Sequence, residues 1–451
     1  MLFPSDAPRI RFPGTFVGSL NPLYNGSFMP VRDVVILSAT RTAIGRYGGS
    51  FKDLHPAELG AVAARAAIER AGIRASDVDE VLIGHGRQAG SGPNPGRQVG
   101  HRAGIPHGAP AQTINKACAS GLQAIASGAQ SIMLGESDIV LAGGIESMSR
   151  MPYLIDAIDA RWGHRMGNFT LVDAMHRDGF QCPISDLIMG ETAEILGRQH
   201  GITREQSDTF ALESQRKAKA AMDAGHFTRE IAPVTLPGSS GSDPRRIQRG
   251  SDPGSRAADP DRAVVVDRDE HPRGDTTIES LRKLPPVFGD VEGHPGIITA
   301  GTSSGITDGG AALVLASADT ARARGLKPRA KILGWASAGV DPRLMGIGPV
   351  PAILKLRESI GLSLDNFDLV ELNEAFAVQV LAVLNDMPIP ADRLNVNGGA
   401  IALGHPIGCT GARIVVTLLH ELERRGAKRG LATLCISGGM GMALAIERIE
   451  L

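Results

Sequence analysis

The apolar positions fall into two copies of one plan. Ile68 to Leu82 runs through Gly72, Ile73, Val78, Asp79 and Val81, and Ser359 to Glu371 repeats it as Gly361, Leu362, Phe367, Asp368 and Val370 at identical spacing. Each copy reads as a helix end, a glycine C-cap and an acidic turn into an apolar strand, Val81 to Ile83 in one and Leu369 to Leu372 in the other. A second pair of segments follows the same logic. Residues 118–134 place Leu122, Ile125, Ala126, Ala129, Ile132 and Met133 on one helical face, stop at Gly135, and yield to a strand from Asp138 to Ala142 with Gly143-Gly144 behind it. Residues 409–425, Gly426, a strand from Leu431 to Ile436 and Gly438-Gly439 repeat that order. Duplicated strand-helix units predict an α/β fold built from two parallel-rich αβα halves packed as a pseudo-dimer.

The pattern breaks between the halves. Residues 148–295 carry Met, Pro and His where strand-helix alternation is expected, and they read as an inserted loop domain. Thr299 to Ser317, with its apolar run Ala311 to Ala316, predicts a strand returning to the first half. The expected boundaries are therefore 31–147 plus 296–326 for the N-terminal domain, 148–295 for the insertion and 327–451 for the C-terminal domain. Residues 1–30, rich in Pro, Gly and Asn without a helical period, read as a disordered extension. Gly238 to Arg262 reads as a surface excursion, its arginines (Arg245, Arg246, Arg249, Arg256, Arg262) solvated and largely neutralised by neighbouring aspartates rather than gathered on a ligand.

Composition narrows the function. A chain of 451 residues exceeds one core, since single cores stop growing at roughly 250–300 residues. Basic and acidic residues nearly balance, 47 against 48, which leaves no field to recruit nucleic acid or an anionic membrane. Four scattered cysteines, Cys118, Cys182, Cys409 and Cys435, fit neither a disulfide framework nor a metal knuckle, so no metal is expected. No apolar run approaches the roughly 20 residues of a membrane span. A cytoplasmic location is the expectation.

Chemistry concentrates at four places. Cys118 lies where an extended segment, Gln112 to Asn115, meets the start of the helix, and a helix start favours thiolate over thiol. By itself it reads equally as a small buried hydrophobe. His405 ends the glycine-dense Asn397-Gly398-Gly399-Ala400-Ile401-Ala402-Leu403-Gly404 run just before Pro406. By the duplication it precedes the second helix as Asn115 to Ala117 precede Cys118, which sets a base beside a thiol. Cys435 ends a strand and enters Ser437-Gly438-Gly439-Met440-Gly441, a run able to aim backbone amides inward as an anion nest. Asn373 ends a strand at its carboxyl edge, as a water holder or a helix N-cap.

Together these residues resemble the thiolase family over nearly the whole chain from about Val31 onward. The motifs that carry the resemblance are Asn115-x-x-Cys118-x-Ser120-Gly121, Gly143-Gly144-x-Glu146-x-Met148-Ser149, Asn373-Glu374-Ala375-Phe376, Gly398-Gly399-x-x-x-x-Gly404-His405-Pro406 and Cys435-x-x-Gly438-Gly439-x-Gly441, in family order. The resemblance implies an acyltransferase that forms or cleaves 3-ketoacyl-CoA, interconverting two acetyl-CoA with acetoacetyl-CoA and CoA. It implies that Cys118 is acylated, His405 activates it, Cys435 moves the α-proton and Asn373 fixes a water. The backbone amides of Cys118 and Ser437 would form an oxyanion hole, and Ser304, Met189 and Phe376 would line the pantetheine and acyl sites.

It also implies CoA thioesters as substrates without a further cofactor, and a homotetramer or homodimer. Three features depart from the family. Ser437 stands where glycine is usual and would be strained at positive φ. Ile188 precedes Met189 where short-chain biosynthetic members often carry histidine, and the Gly238 to Arg262 excursion is long. A degradative thiolase with longer-chain substrates shares every motif. A non-catalytic acyl-CoA or lipid binder would have lost a nucleophile or base, and a ketoacyl synthase would use two histidines where this chain has Cys435.

Overall fold

The computed structural model describes residues 31–236 and 263–450. The expected extension at 1–30 lies outside these, as does the whole of the 238–262 excursion. Nine strands form one continuous path: β1 (Val34–Arg41), β2 (Glu80–His85), β3 (Ala111–Ile114), β4 (Ile139–Ser147), β5 (Thr307–Ser317), β6 (Ala330–Gly339), β7 (Leu369–Leu372), β8 (Arg429–Ile436) and β9 (Met440–Arg448). Their order across the sheet is β7-β8-β9-β6-β1-β5-β4-β2-β3, and the short strand Gly45–Arg46 pairs with β5. The halves meet where β1 pairs with β6. The duplication is therefore read out as β2, β4 and β5 in one half against β7, β8 and β9 in the other.

The expectation of parallel-rich layers needs correction. Only the β2–β3, β2–β4 and β7–β8 pairs are parallel, whereas β1–β5, β4–β5, β6–β9 and β8–β9 run antiparallel. A tight turn permits an antiparallel neighbour, and a parallel one needs a crossover. Gly438 and Gly439, at φ 87° and 82°, supply that turn between β8 and β9. The sheet is mixed for this reason.

Helices α1 (Pro56–Arg70), α2 (Ser120–Leu134), α5 (Pro349–Ile360), α6 (Ala377–Asp386) and α7 (Ile407–Arg425) build the layers, while α3 (Met189–Gln199) and α4 (Arg204–Asp223) belong to the insertion. The apolar stripe of α2 and that of α7 share one buried cluster with strands of both halves. They are the central layer. Helix α1 covers the outer face of the first half and α5 with α6 that of the second, giving the αβαβα layering. The predicted stops hold: α2 ends at Gly135 (φ 77°), α5 at Gly361 (φ 67°) and α7 at Gly426 (φ 65°).

The insertion is more regular than its composition suggested. Helix α4 opens with a reciprocal cap in which Gln206 N–H donates to Thr203 Oγ1 (3.2 Å) and Thr203 N–H to Gln206 Oε1 (2.8 Å). Helix α3 packs Ala193 and Leu196 on Val378 and Ala382 of α6. Arg41, fully buried at the end of β1, pairs with Glu230 (2.6 Å) and Asp269 (2.7 Å) and so ties the insertion to the sheet. Among the described residues, no helix is long and apolar enough to cross a membrane and no cluster of side chains could hold a metal ion.

Candidate active site

Helix α2 begins at Ser120, so Cys118 precedes the helix on a sharp elbow leading from β3. Ala117 makes the elbow by adopting φ 45°, a conformation costing a residue with a Cβ about 1–3 kcal/mol. Side chains of the motif hold it there. Asn115 Oδ1 accepts from Ala117 N–H (2.9 Å) and Asn115 Nδ2 donates to the Gly86 carbonyl (3.1 Å). Ser120 Oγ accepts from Lys116 N–H (2.9 Å) and donates to the Ala117 carbonyl (2.7 Å).

The expectation that the helix start would favour thiolate is not met at rest. Burial raises the Cys118 thiol above its ordinary range and Glu146 adds to this, outweighing the opposing pull of the Arg87 charge and of the Ser437 and Cys118 backbone N–H groups. Both N–H groups lie close enough to the Cys118 sulphur to favour its charged form. Ser437 is not strained: the left-handed turn positions are Gly438 and Gly439, not Ser437.

Cys435, at the end of β8, is fully buried, and burial pushes its thiol far up, with the neighbouring Cys118 raising it further. It packs in a small cluster with Met345, Ala375, Met189 and Phe376. Phe288 meets Phe376 edge to face at 6.4 Å between ring centres. The backbone N–H of Ser304 donates to the Ala375 carbonyl (3.0 Å), and Ser303 bridges to Phe376, which lays the Ser304 segment along the same wall. Ile188 immediately precedes α3.

His405 is buried and its imidazolium is strongly disfavoured, down to about 3, by burial first and then by the charges of Arg413 and Arg87. Its Nδ1 lies 2.6 Å from Thr410 Oγ1, and that hydroxyl donates to the Pro406 carbonyl (2.9 Å). The single hydroxyl proton is thereby used, so Nδ1–H donates to Thr410 and Nε2 keeps its lone pair. Asn373 is no helix cap, because α6 starts at Ala377. Its side chain is buried at 1% exposure, yet neither Oδ1 nor Nδ2 has a protein partner. A buried amide in that state is set to hold a water or a substrate atom.

The two helix starts face each other as the duplication predicted. A Cβ at Gly144 would lie 2.3 Å from the Gly408 carbonyl and 3.1 Å from Gly121 Cα, so bare glycines at all three bring α2, β4 and α7 together. Glu146 fixes this junction: its Oε2 accepts from Gly408 N–H (2.9 Å), Gly86 N–H (3.2 Å) and Arg87 N–H (3.2 Å). The structure thus gathers Cys118, Cys435, Ser437 and Glu146, with Met189 and Phe376 against Cys435. Reading the sequence missed Ala117, Arg87, Met345 and Phe288, none of which has a local signature.

The sequence and the fold are shared with known proteins. Residues 34–319 match the model of the thiolase N-terminal domain and residues 326–448 that of the thiolase C-terminal domain. The chain is 48% identical over 418 residues to an acetyl-CoA acetyltransferase of Pseudomonas aeruginosa, covering 93% of this chain and 100% of the relative. It is 46% identical to the Escherichia coli acetyl-CoA acetyltransferase, with 93% and 100% covered. Among solved structures, the Bacillus anthracis acetyl-CoA acetyltransferase superposes with a TM-score of 0.85 at 43% identity, covering 93% of this chain and 100% of that one. Human mitochondrial 3-ketoacyl-CoA thiolase in complex with CoA superposes with a TM-score of 0.83 at 41% identity, covering 93% and 99%.

Proposed function

Because the chain belongs to the thiolase family, we propose that it is an acetyl-CoA C-acetyltransferase working through an acetyl-cysteine on Cys118. The observation that carries the reading is the Cys118 elbow beneath the two backbone amides of Cys118 and Ser437, with a second thiol, Cys435, alongside. His405 Nε2 takes the Cys118 proton as sulphur attacks the thioester carbonyl. The tetrahedral oxyanion sits under the Cys118 and Ser437 amides, and CoA leaves. Cys435 gives its proton to the departing CoA thiolate, and as a thiolate it then removes a proton from the α-carbon of a second acetyl-CoA. The carbanion attacks the acetyl-cysteine, releasing acetoacetyl-CoA, while Asn373 and its water hold the enolate oxygen. Thiolysis is the reverse.

The raised Cys118 thiol and the disfavoured His405 imidazolium describe a resting pair in which both groups are neutral. Ionisation belongs to the attack itself. Ser304, Met189 and Phe376 are read as the pantetheine and acyl walls, and no cofactor beyond the CoA thioesters enters this scheme. The domain boundaries read from the sequence and a cytoplasmic location are part of the same proposal.

An oligomer, tetramer or dimer, is supported by the apolar arm between 153 and 172, where Tyr153, Ile158, Trp162, Met166 and Leu171 are all exposed. The relation to the human 3-ketoacyl-CoA thiolase keeps longer acyl chains in view, and relative thiolysis rates of acetoacetyl-CoA and a long-chain 3-ketoacyl-CoA discriminate the two. The central test is mass spectrometry of the protein mixed with acetyl-CoA. Acetyl should appear on the peptide bearing Cys118 and vanish in Cys118→Ala; stable acetylation elsewhere sinks the assignment.

A further inference from the structure

Arg87 follows β2 and takes no part in the steps above. Its main chain is fixed by Glu146, which accepts from Arg87 N–H, and its side chain runs from there to the Gly179 carbonyl, bonded through Nη2 at 2.6 Å. Both anchor points flank the nucleophile. The Gly86 carbonyl holds Asn115 of the elbow, and Phe180, next to Gly179, packs with Cys118, Met148, Met175 and Ile407 in one apolar cluster. Among the described residues its guanidinium bonds only the carbonyl oxygens of Gly86 and Gly179, with no carboxylate partner, and its Nε is buried without any partner. A half-buried arginine with no counter-ion leaves its charge to act on whatever lies nearby.

We propose that Arg87 is a positioning residue of the active site, an uncompensated cation that its anchors at Gly86 and Gly179 hold beside Cys118, where it stabilises the charge the sulphur takes on. The neighbours make the need plain. Glu146 is an obligatory structural carboxylate at the helix junction, and its charge opposes a thiolate at Cys118. Of the other groups around the pair, His85 places its Nε2 3.0 Å from Glu146 Oε1 and Cys435 is a neutral thiol. Lys116 is turned away onto Gln123 and Ser337, and Asp178 is paired with Arg177 at the surface. Arg413, on α7, faces Glu371 at 3.4 Å and acts on His405. That leaves Arg87 as the cation addressing both members of the pair. A cation favours the charged thiolate and disfavours the charged imidazolium, so its removal should move both titrations to higher pH.

The proposal rests on Cys118 being the nucleophile, and the test separates the two ideas. Iodoacetamide alkylation of the intact protein is followed across pH, with the labelled cysteine mapped by mass spectrometry, for the wild type, Arg87→Gln, Arg87→Leu and Arg87→Lys. Gln keeps a donor for the Gly179 carbonyl without the charge, which distinguishes electrostatics from anchoring and covers the case in which Leu does not fold. The expected result is an alkaline shift of the Cys118 alkylation midpoint by about one unit or more in Gln and Leu, an alkylation rate at pH 7 lower by about tenfold, and a near-normal midpoint in Lys. A folded Arg87→Gln protein with an unshifted midpoint at Cys118 overturns the role of Arg87. Preferential labelling of another cysteine in the wild type overturns the nucleophile reading as well.

Discussion

At the scale of single residues, the site combines groups that burial has made costly to ionise. Cys118, Cys435 and His405 are all held neutral, and the donors that would stabilise charge are backbone amides already in place. Such a site stabilises charge only where the reaction creates it. Asn373, like Gln379, is a buried amide with both polar atoms unpartnered, and on the proposed reading it holds a water against the substrate. Replacing it by Ala should lower kcat by roughly 10²–10³ with a small change in KM, a milder loss than the abolition expected for Cys118→Ala; steady-state thiolysis of acetoacetyl-CoA checks both.

Away from the chemistry, Glu371 is fully buried and burial lifts its carboxyl to about 8 despite Arg413. A carboxyl whose folded value exceeds its unfolded value keeps its proton in the fold, so stability falls as pH rises from about 4.5 toward 8. Glu371→Gln should flatten that slope in thermal melts between pH 5 and 8. Of the residue-level picture, the cysteines, His405 and Asn373 were legible because their types carry chemistry. Ala117 and Arg87 were not, because a left-handed alanine and a missing counter-ion exist only once distant segments meet.

At the scale of elements, the site depends on how closely α2, β4 and α7 approach. Gly121, Gly144 and Gly408 permit backbone contact there, and Glu146 locks it. Gly144→Ala would drive a Cβ into the Gly408 carbonyl and should cost about 1–3 kcal/mol, seen as a lower midpoint in chemical denaturation together with reduced acetyl transfer. Helix ends were legible because a glycine at positive φ terminates a helix by local geometry, as at Gly135, Gly361 and Gly426. Strand direction was not, because an apolar run is compatible with either orientation. The Thr203-x-x-Gln206 box announced α4 in the sequence, and reading 148–295 by its Met, Pro and His content passed over it.

At the scale of the whole molecule, two features reach beyond one folded chain. The apolar arm exposes Trp162 at 80% and Met166 at 88%, more than a lone monomer gains from. Light scattering with size-exclusion chromatography should give a multiple of the 47.3 kDa chain mass, and Trp162→Asp with Met166→Asp should reduce it; a monomer in the wild type would overturn the oligomer. The second feature is the duplication, which unites two halves through β1 and β6 around α2 and α7.

By itself the sequence determined the duplicated α/β plan, the glycine stops of the helices and the candidates for the reactive side chains, since these follow from local periodicity, capping and functional-group chemistry. Only the tertiary structure decided the mixed strand order, the elbow at Ala117, the neutral resting state of Cys118 and His405, and the approach of Arg87. Each of these depends on desolvation and on contacts between segments far apart in the chain, which no local pattern encodes.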